Sequence, residues 1–368
     1  MKKSYIALAA LALVSGVASA QSSVTIYGKV DLGMVLDSGN PAGKSVRLSS
    51  GVTGGSRLGF KGVEDLGGGY KAGFTLETGF CADSAAGNPA TVKDSSGKTV
   101  GTTTVPNFCT GSNAFMGRQA HGDLSGAFGA IAAGRQFSLG YQTISALDPF
   151  GSGYAGQTVN LVDPSGTRLN NSVRYTTPSV YGLTASGEIQ FGETTGDWQA
   201  GREVGGQVAW ASGPAYLAFT TYDLENANGT GAARKNYQFG GTYDFGVVKV
   251  HLMGQKGSGN PTGAKKIDVL DLMGGVTVPF AGGNVLASYI HHNDRTSGTA
   301  FSTGDEDASQ WGIGYNYPLS KRTAIYTAYA RINNDNNQSG KNAGFTVGNS
   351  TETGTGNKSF NLGVVHNF

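Results

Sequence analysis

Apolar and polar residues alternate with a period of two along most of this chain. Val24, Ile26, Gly28, Val30, Leu32, Met34 and Leu36 fall on one face, and Thr25, Tyr27, Lys29, Asp31 and Gly33 on the other. Tyr70, Ala72, Phe74, Leu76 and Phe80 oppose Lys71, Gly73, Thr75 and Glu77, and Tyr237, Phe239, Tyr243 and Phe245 oppose Asn236, Gln238, Thr242 and Asp244. Successive side chains of a strand point to opposite faces, so each such segment predicts a strand with one apolar and one polar side. About sixteen segments of roughly 9–12 residues, the length of a tilted membrane strand, are expected. They begin near positions 23, 54, 69, 112, 127, 168, 181, 202, 214, 235, 247, 267, 283, 308, 322 and 358.

The connections alternate in length. Glu64–Gly68, Asp123–Gly126, Ser212–Pro214, Asp244–Gly246, Ala281–Gly283 and Leu319–Lys321 are short turns. Long Gly/Ser/Thr/Asn-rich loops are expected near 38–53, 81–111, 138–167, 193–201, 225–234, 257–266, 294–307 and 333–357. Short turns at one rim and long loops at the other are the layout of an outer-membrane barrel. Aromatics gather at segment ends, among them Tyr27, Phe60, Phe80, Tyr181, Phe191, Tyr317 and Phe368, as an interfacial girdle requires. The chain ends in such a segment, with Phe360, Leu362, Val364 and Phe368 on one face. Lipid offers no hydrogen-bond partner, so no sheet edge is left open. The terminal strand is therefore expected to close on the strand from Ser23 to Leu36.

Composition agrees. Glycine supplies 60 of 368 residues and charged residues only 14%, against usual values of about 7% and 25%. Lys2 and Lys3, the apolar stretch Ile6–Val14 and Ala18-Ser19-Ala20 read as a secretory signal peptide over residues 1–20, leaving 21–368 as one barrel domain. Without those two lysines the formal charge of +2 falls to zero, so net charge points to no polyanionic partner. Cys81 and Cys109 are the two cysteines of an exported chain and can form one disulfide. Two free thiols is the alternative.

The residues also carry a family resemblance. The chain resembles the general porins of Gram-negative outer membranes, in their beta-proteobacterial branch, over essentially all of its mature length. The carriers are Ser22–Gly28 (SSVTIYG), Ser56–Gly67 (SRLGFKGVEDLG), Gly117–Ala120 (GRQA), Ser125–Gly129 (SGAFG), Gly134–Gln136, Asp148–Gly151 (DPFG), Asn170–Tyr175 (NNSVRY), Leu319–Thr323 (LSKRT) and His366-Asn367-Phe368. The resemblance implies an all-β fold: a 16-stranded antiparallel transmembrane β-barrel with an inward-folded constriction loop, assembled as a homotrimer in the cell outer membrane. It implies outer-membrane lipid and lipopolysaccharide around the barrel. It further implies that Phe368 is an assembly signal for the barrel-insertion machinery, and that the loop holding Cys81 and Cys109 latches onto a neighbouring subunit. One departure is His121-Gly122-Asp123-Leu124, where the family continues with apolar residues, which leaves the phase of that strand open.

For the pore, the expected constriction loop is 138–167, with Asp148 and Asp163 as its acids. A basic wall is expected to face it: Arg57 and Lys61, Arg118 in the matching position two strands on, and Arg168 and Arg174 on one face with Asn170 and Ser172 between. Arg135 and Arg331 are weaker candidates, and Arg135 shares parity with Ile131 and Ala133, as a subunit-interface charge would. For any single arginine the alternative is a rim residue snorkelling to headgroups. A basic ring lowers the barrier to anions. The expected function is a water-filled general diffusion channel for ions and small hydrophilic solutes, with mild anion preference. A sugar or organic-anion channel is the nearer alternative, with Tyr27, Tyr329 and Tyr222 as its aromatics. A barrel enzyme is the more distant one. The five histidines lie at 121, 251, 291, 292 and 366 without a nucleophile motif, and adjacent His291 and His292 point to opposite faces. No catalytic set, metal site, cofactor or nucleic-acid partner is expected.

Overall fold

The computed structural model describes residues 23–84, 88–93, 99–105, 115–227, 231–261, 265–298, 306–335 and 344–368. Residues 1–20, expected as a signal peptide, and Cys109 lie outside these, so the signal peptide and the Cys81–Cys109 bridge stay expectations.

Sixteen antiparallel staves close into a barrel among the described residues. In chain order the strands are β1 (Ser23–Asn40), β2 (Gly43–Ser50), β3 (Arg57–Gly67), β4 (Tyr70–Gly79), β5 (Asn88–Lys93), β6 (Thr99–Val105), β7 (Gln119–Gly126), β8 (Gly129–Phe137), β9 (Arg168–Thr176) and β10 (Leu183–Gln190). There follow β11 (Glu203–Ser212), β12 (Ala215–Glu225), β13 (Ala232–Asp244), β14 (Lys249–Gly259), β15 (Lys265–Phe280), β16 (Gly283–Asp294), β17 (Ser297–Gly298), β18 (Ala308–Pro318), β19 (Thr323–Asn334) and β20 (Lys358–Asn367). β5 and β6 pair only with each other, and β17 pairs with the start of β15. β2 lies where the sequence predicts loop: β1 runs on to Asn40 and turns back on itself, with Leu32–Asn40 pairing against Gly43–Ser50. The alternation Val46, Leu48 was legible there, but it is too short to stand out from a loop.

The terminal strand closes the sheet. β20 pairs with β1 from Lys29↔Asn367 to Ser38↔Lys358. The N–H of Phe368 donates to Gly28 O at 3.1 Å and that of Gly28 to Phe368 O at 3.0 Å. A side chain at Gly28 would meet the Phe368 ring at 2.2 Å, so this seam needs glycine. Gly28→Ala is expected to cost about 1–3 kcal/mol through overpacking. The check is the temperature at which the folded band converts to the unfolded one in gel electrophoresis; an unchanged temperature would contradict it.

The apolar faces point outward. Ile26, Phe239, Leu252 and Leu362 are exposed, while Asp31, Gln238, Gln310 and Asn361 on the opposite faces are fully buried in the interior. The departure at His121 resolves inward: His121 pairs with Thr75 and Gly134 and shares its phase with Asp123, while Leu124 is exposed outside.

The interior is filled by segment 138–167. The sequence predicts a plain loop there, but Leu139–Leu147 form a helix, α1. Ser138 caps it by accepting from Tyr141 N–H, and Leu139, Thr143, Ile144 and Leu147 bury at helical spacing. Glycines on the inner wall make room for the segment. A Cβ at Gly240 would strike Leu147, one at Gly275 would strike Pro149, and one at Gly312 would meet Gly156. Thr143 Oγ1 meets Thr220 Oγ1 at 2.6 Å, His251 Nδ1 meets Leu147 O at 2.9 Å, and Asn160 Nδ2 donates to Gln310 Oε1 at 2.8 Å. The segment thus packs on β10–β19 and touches the β2–β3 connection, where the N–H of Tyr154 donates to Val52 O at 2.8 Å, and it leaves the passage open along β1, β3, β7 and β9.

Candidate functional site: a basic passage beside the inner segment

The open passage is a cavity of about 490 Å³, lined on the wall by Lys29, Arg57 and Arg118 and on the inner segment by Tyr141, Gln142 and Ser145. A smaller recess of about 110 Å³ adjoins it between Arg118, Arg168 and Tyr141. Arg118 leaves its strand just before β7, and its guanidinium occupies the space that a side chain at Gly55 would fill. Arg118 Nε donates to Glu77 Oε1 at 2.7 Å, while Arg57 Nε stands 3.8 Å from Glu77 Oε2. Tyr27 OH donates to the same Oε2 at 3.1 Å. Four cations, Lys29, Arg57, Arg118 and Arg168, therefore stand against two carboxylates, Glu77 and the Asp31 that neighbours Lys29, an excess of two positive charges around the passage.

Lys29 and Glu77 are two passage residues that the sequence does not single out. Both stand on the polar phase of their strands, so a signal existed; nothing local ranked them above other polar positions. Tyr141 had no signal beyond its place in α1. It stacks on Phe137 with ring centroids 5.3 Å apart, and burial pushes its phenol up.

Two pairings of the sequence reading separate in space. Arg168 and Arg174 do not behave as one face, because β9 bulges. Gly134 pairs with Ser172 while Gln136 pairs with Leu169, and Asn171 takes a positive φ of 48°. Arg168 lies over the Phe137 ring, 4.4 Å from its centroid, beside the recess. Arg174 is instead neutralised by Glu188 at 2.5 Å and also donates to Phe137 O. Glu188 in turn accepts the N–H of Leu139 at 2.8 Å, so this ion pair seats the start of α1. Lys61 sits four residues from Arg57 towards the short-turn rim, exposed, with its ammonium 5.6 Å from the Tyr27 ring centroid.

Neither predicted acid faces the arginines. Asp148 is buried and accepts the N–H groups of Phe150 at 2.9 Å, Ser152 at 3.0 Å and Thr158 at 2.9 Å. It is the hub of the segment's fold. Burial pushes its carboxyl up to about 6, and the three N–H groups pull the other way. Asp163 pairs with Arg234 on the far wall, and its carbonyl accepts from Tyr222 and Gln255. The face opposite the cations is neutral and polar. Arg135 donates to Gly117 O and Asn170, outside the passage. Of the aromatics weighed for a sugar path, Tyr222 is buried under the inner segment and Tyr329 packs on Trp311 on the outer face. Among the described residues no group of His, Cys, Asp and Glu is placed to hold a metal.

A closed 16-stave barrel with an internal segment and an arginine-lined passage has clear relatives. The model of the Gram-negative porins matches residues 7–337. The chain belongs to the Gram-negative porin family. It is 32% identical to outer membrane porin protein 32 of Delftia acidovorans over the whole of both chains. It is 30% identical to an outer membrane porin protein of Bordetella pertussis, covering 90% of this chain and 94% of that one. Among solved structures, the porin is similar to the anion-selective porin from Comamonas acidovorans, with a TM-score of 0.74 and 26% identity over 95% of this chain and 100% of that one. OmpT of Vibrio cholerae shares the fold, with a TM-score of 0.62 at 13% identity. The relatives are channel proteins of the outer membrane and not enzymes, and the porin shares that placement.

Proposed function

We propose that this porin is a homotrimeric general diffusion channel whose passage favours anions. One observation carries the reading: four cations outnumber the carboxylates Glu77 and Asp31 at the narrow passage, and among the described residues the surface across from them presents no acid. Guanidinium stays charged at any physiological pH, so the cluster keeps its field. The solved relative titled an anion-selective porin supports the same direction. A trimer is supported by the outward face of β4, β7 and β8, where Ala72, Ala120, Gly122 and Ala133 are small enough for close approach between subunits. Residues 1–20 are read as a signal peptide removed on export, and Phe368 as the contact the insertion machinery reads.

Planar-bilayer recordings test the channel reading. In a potassium chloride gradient the reversal potential is expected to show chloride passing more readily than potassium; a preference for potassium would overturn it. Liposome swelling is expected to fall smoothly with solute size, without saturation by any one sugar.

A further inference from the structure

On the far side of the inner segment from the basic passage lies a second cavity, of about 220 Å³, at the long-loop end of β13–β16. Two rows of inward positions cross these four strands in register. The first row is Gln238, Gln255, Asp271 and His292, and its side chains are joined to one another. Gln238 Nε2 donates to Gln255 Oε1 at 2.8 Å, Gln255 Nε2 donates to Asp271 Oδ2 at 3.2 Å, and His292 Nδ1 meets Asp271 Oδ1 at 2.5 Å.

The second row, Asn236, Gly257, Val269 and Asp294, lies nearer the long loops and is not closed in this way. Asn236 is 1% exposed, and its Nδ2 donates to Asp163 O at 3.1 Å. Its Oδ1 has no donor among the described residues. A Cβ at Gly257 would stand 2.9 Å from that oxygen and 2.5 Å from Val269 Cγ2. The oxygen therefore points along the row, into the space that the glycine leaves beside Val269. A buried acceptor without a donor is costly, and a bound N–H or O–H relieves that cost.

The other end of the row carries uncompensated charge. Asp163 pairs with Arg234, and Asp271 pairs with His292. Asp294 and Glu306 also line the cavity, and Asp307 Oδ1 accepts the N–H of Asp294 at 2.7 Å. Among the described residues no lysine or arginine pairs with these three acids; Arg295 Nε donates to Asn293 Oδ1 at 2.7 Å. Between the two ends the lining is apolar, from Leu161, Ile267 and Val269. Phe345 covers it, with its ring centroid 5.0 Å from that of His292.

We infer that this cavity binds a small organic cation from outside the cell. Its primary ammonium lies at Asp294 and Glu306, its short aliphatic chain on Val269 and Ile267, and a second N–H or O–H donor at Asn236 Oδ1. The free acceptor selects an ammonium that carries hydrogens and a chain that ends in a donor. The cavity is smaller than the roughly 300–1,000 Å³ of drug-sized sites, so the ligand is a short one. The long-loop rim faces outward in outer-membrane barrels, which opens the site to the exterior. The site is separate from Lys29, Arg57, Arg118 and Arg168 and does not depend on which ion the passage favours.

Saturation-transfer NMR of the detergent-extracted porin, titrated with aminopentanol, tests it. Saturable binding is expected. Pentanediol, which lacks the charge, should bind about tenfold or more weakly, and pentylamine, which lacks the terminal donor, about threefold to tenfold more weakly. Asp294→Asn with Glu306→Gln should lower the affinity for aminopentanol about tenfold or more. The heat-modifiable band in gel electrophoresis should persist, which separates loss of the site from loss of the fold. Asp268→Asn, on the outward phase of β15, should leave binding unchanged. Equal binding of pentanediol and aminopentanol, or unchanged affinity in the double variant, would overturn the proposal. So would tetramethylammonium binding as tightly as aminopentanol, or an equal loss in Asp268→Asn, because either marks a diffuse counter-ion effect. Pentylamine binding as tightly as aminopentanol would overturn the contact at Asn236.

Discussion

Replacing Arg57, Arg118 and Arg168 together with glutamine is expected to erase the anion preference of the channel. The three guanidiniums supply the excess positive charge of the passage; without them Lys29 stands against both Glu77 and Asp31 and no positive excess remains. A unit charge about 8 Å from a passing ion contributes roughly 0.5 kcal/mol at the dielectric constant of water. Three such charges amount to about 1.5 kcal/mol, close to a tenfold change in relative permeability. Reversal potentials under a salt gradient measure this directly, and a triple variant that still prefers chloride to the wild-type degree would refute the assignment. Arg174→Gln with Glu188→Gln is the contrasting case. The two charges cancel each other at 2.5 Å, so removing both leaves the net charge unchanged and selectivity should barely move. The start of α1, which the same pair seats, should loosen, with greater current noise at unchanged reversal potential.

The second large effect is expected at Asp148. Its carboxylate is buried and holds three backbone N–H groups, from Phe150, Ser152 and Thr158. In Asp148→Ala those donors lose their acceptor, at about 1–3 kcal/mol each. The inner segment is then expected to leave its seat while the barrel, held by its own ladder of strand pairs, stays closed. Single-channel conductance should rise and become noisy, and the heat-modifiable band in gel electrophoresis should persist. Asp148→Asn keeps one carbonyl oxygen and so some of the acceptor capacity, and should fall between. Unchanged conductance in the alanine variant would show that the segment is held by its apolar contacts with the wall, such as Leu147 on Gly240, and not by this hub.

These two sites show where the sequence was legible. The strand period, the alternation of turn lengths and the aromatic C-terminus of themselves determine an antiparallel barrel whose last strand seals against its first. A membrane leaves no other solution for paired backbone, and the observed pairing of Phe368 with Gly28 follows from it. The same period puts Lys29, Arg57 and Glu77 on the wet face. Which of those charges stays uncompensated was decided only in three dimensions. Glu77 reaches Arg118 across 41 positions of sequence, and a bulge at Asn171 puts Arg168, beside the recess, out of phase with Arg174, which falls to Glu188. Asp148 and Asp163 looked like a facing acidic wall, yet one turned inward to satisfy backbone donors and the other crossed to Arg234. Periodicity reports the face on which a side chain lies. Whether its charge is spent depends on distances of a few ångströms between distant segments, and only the folded barrel sets those.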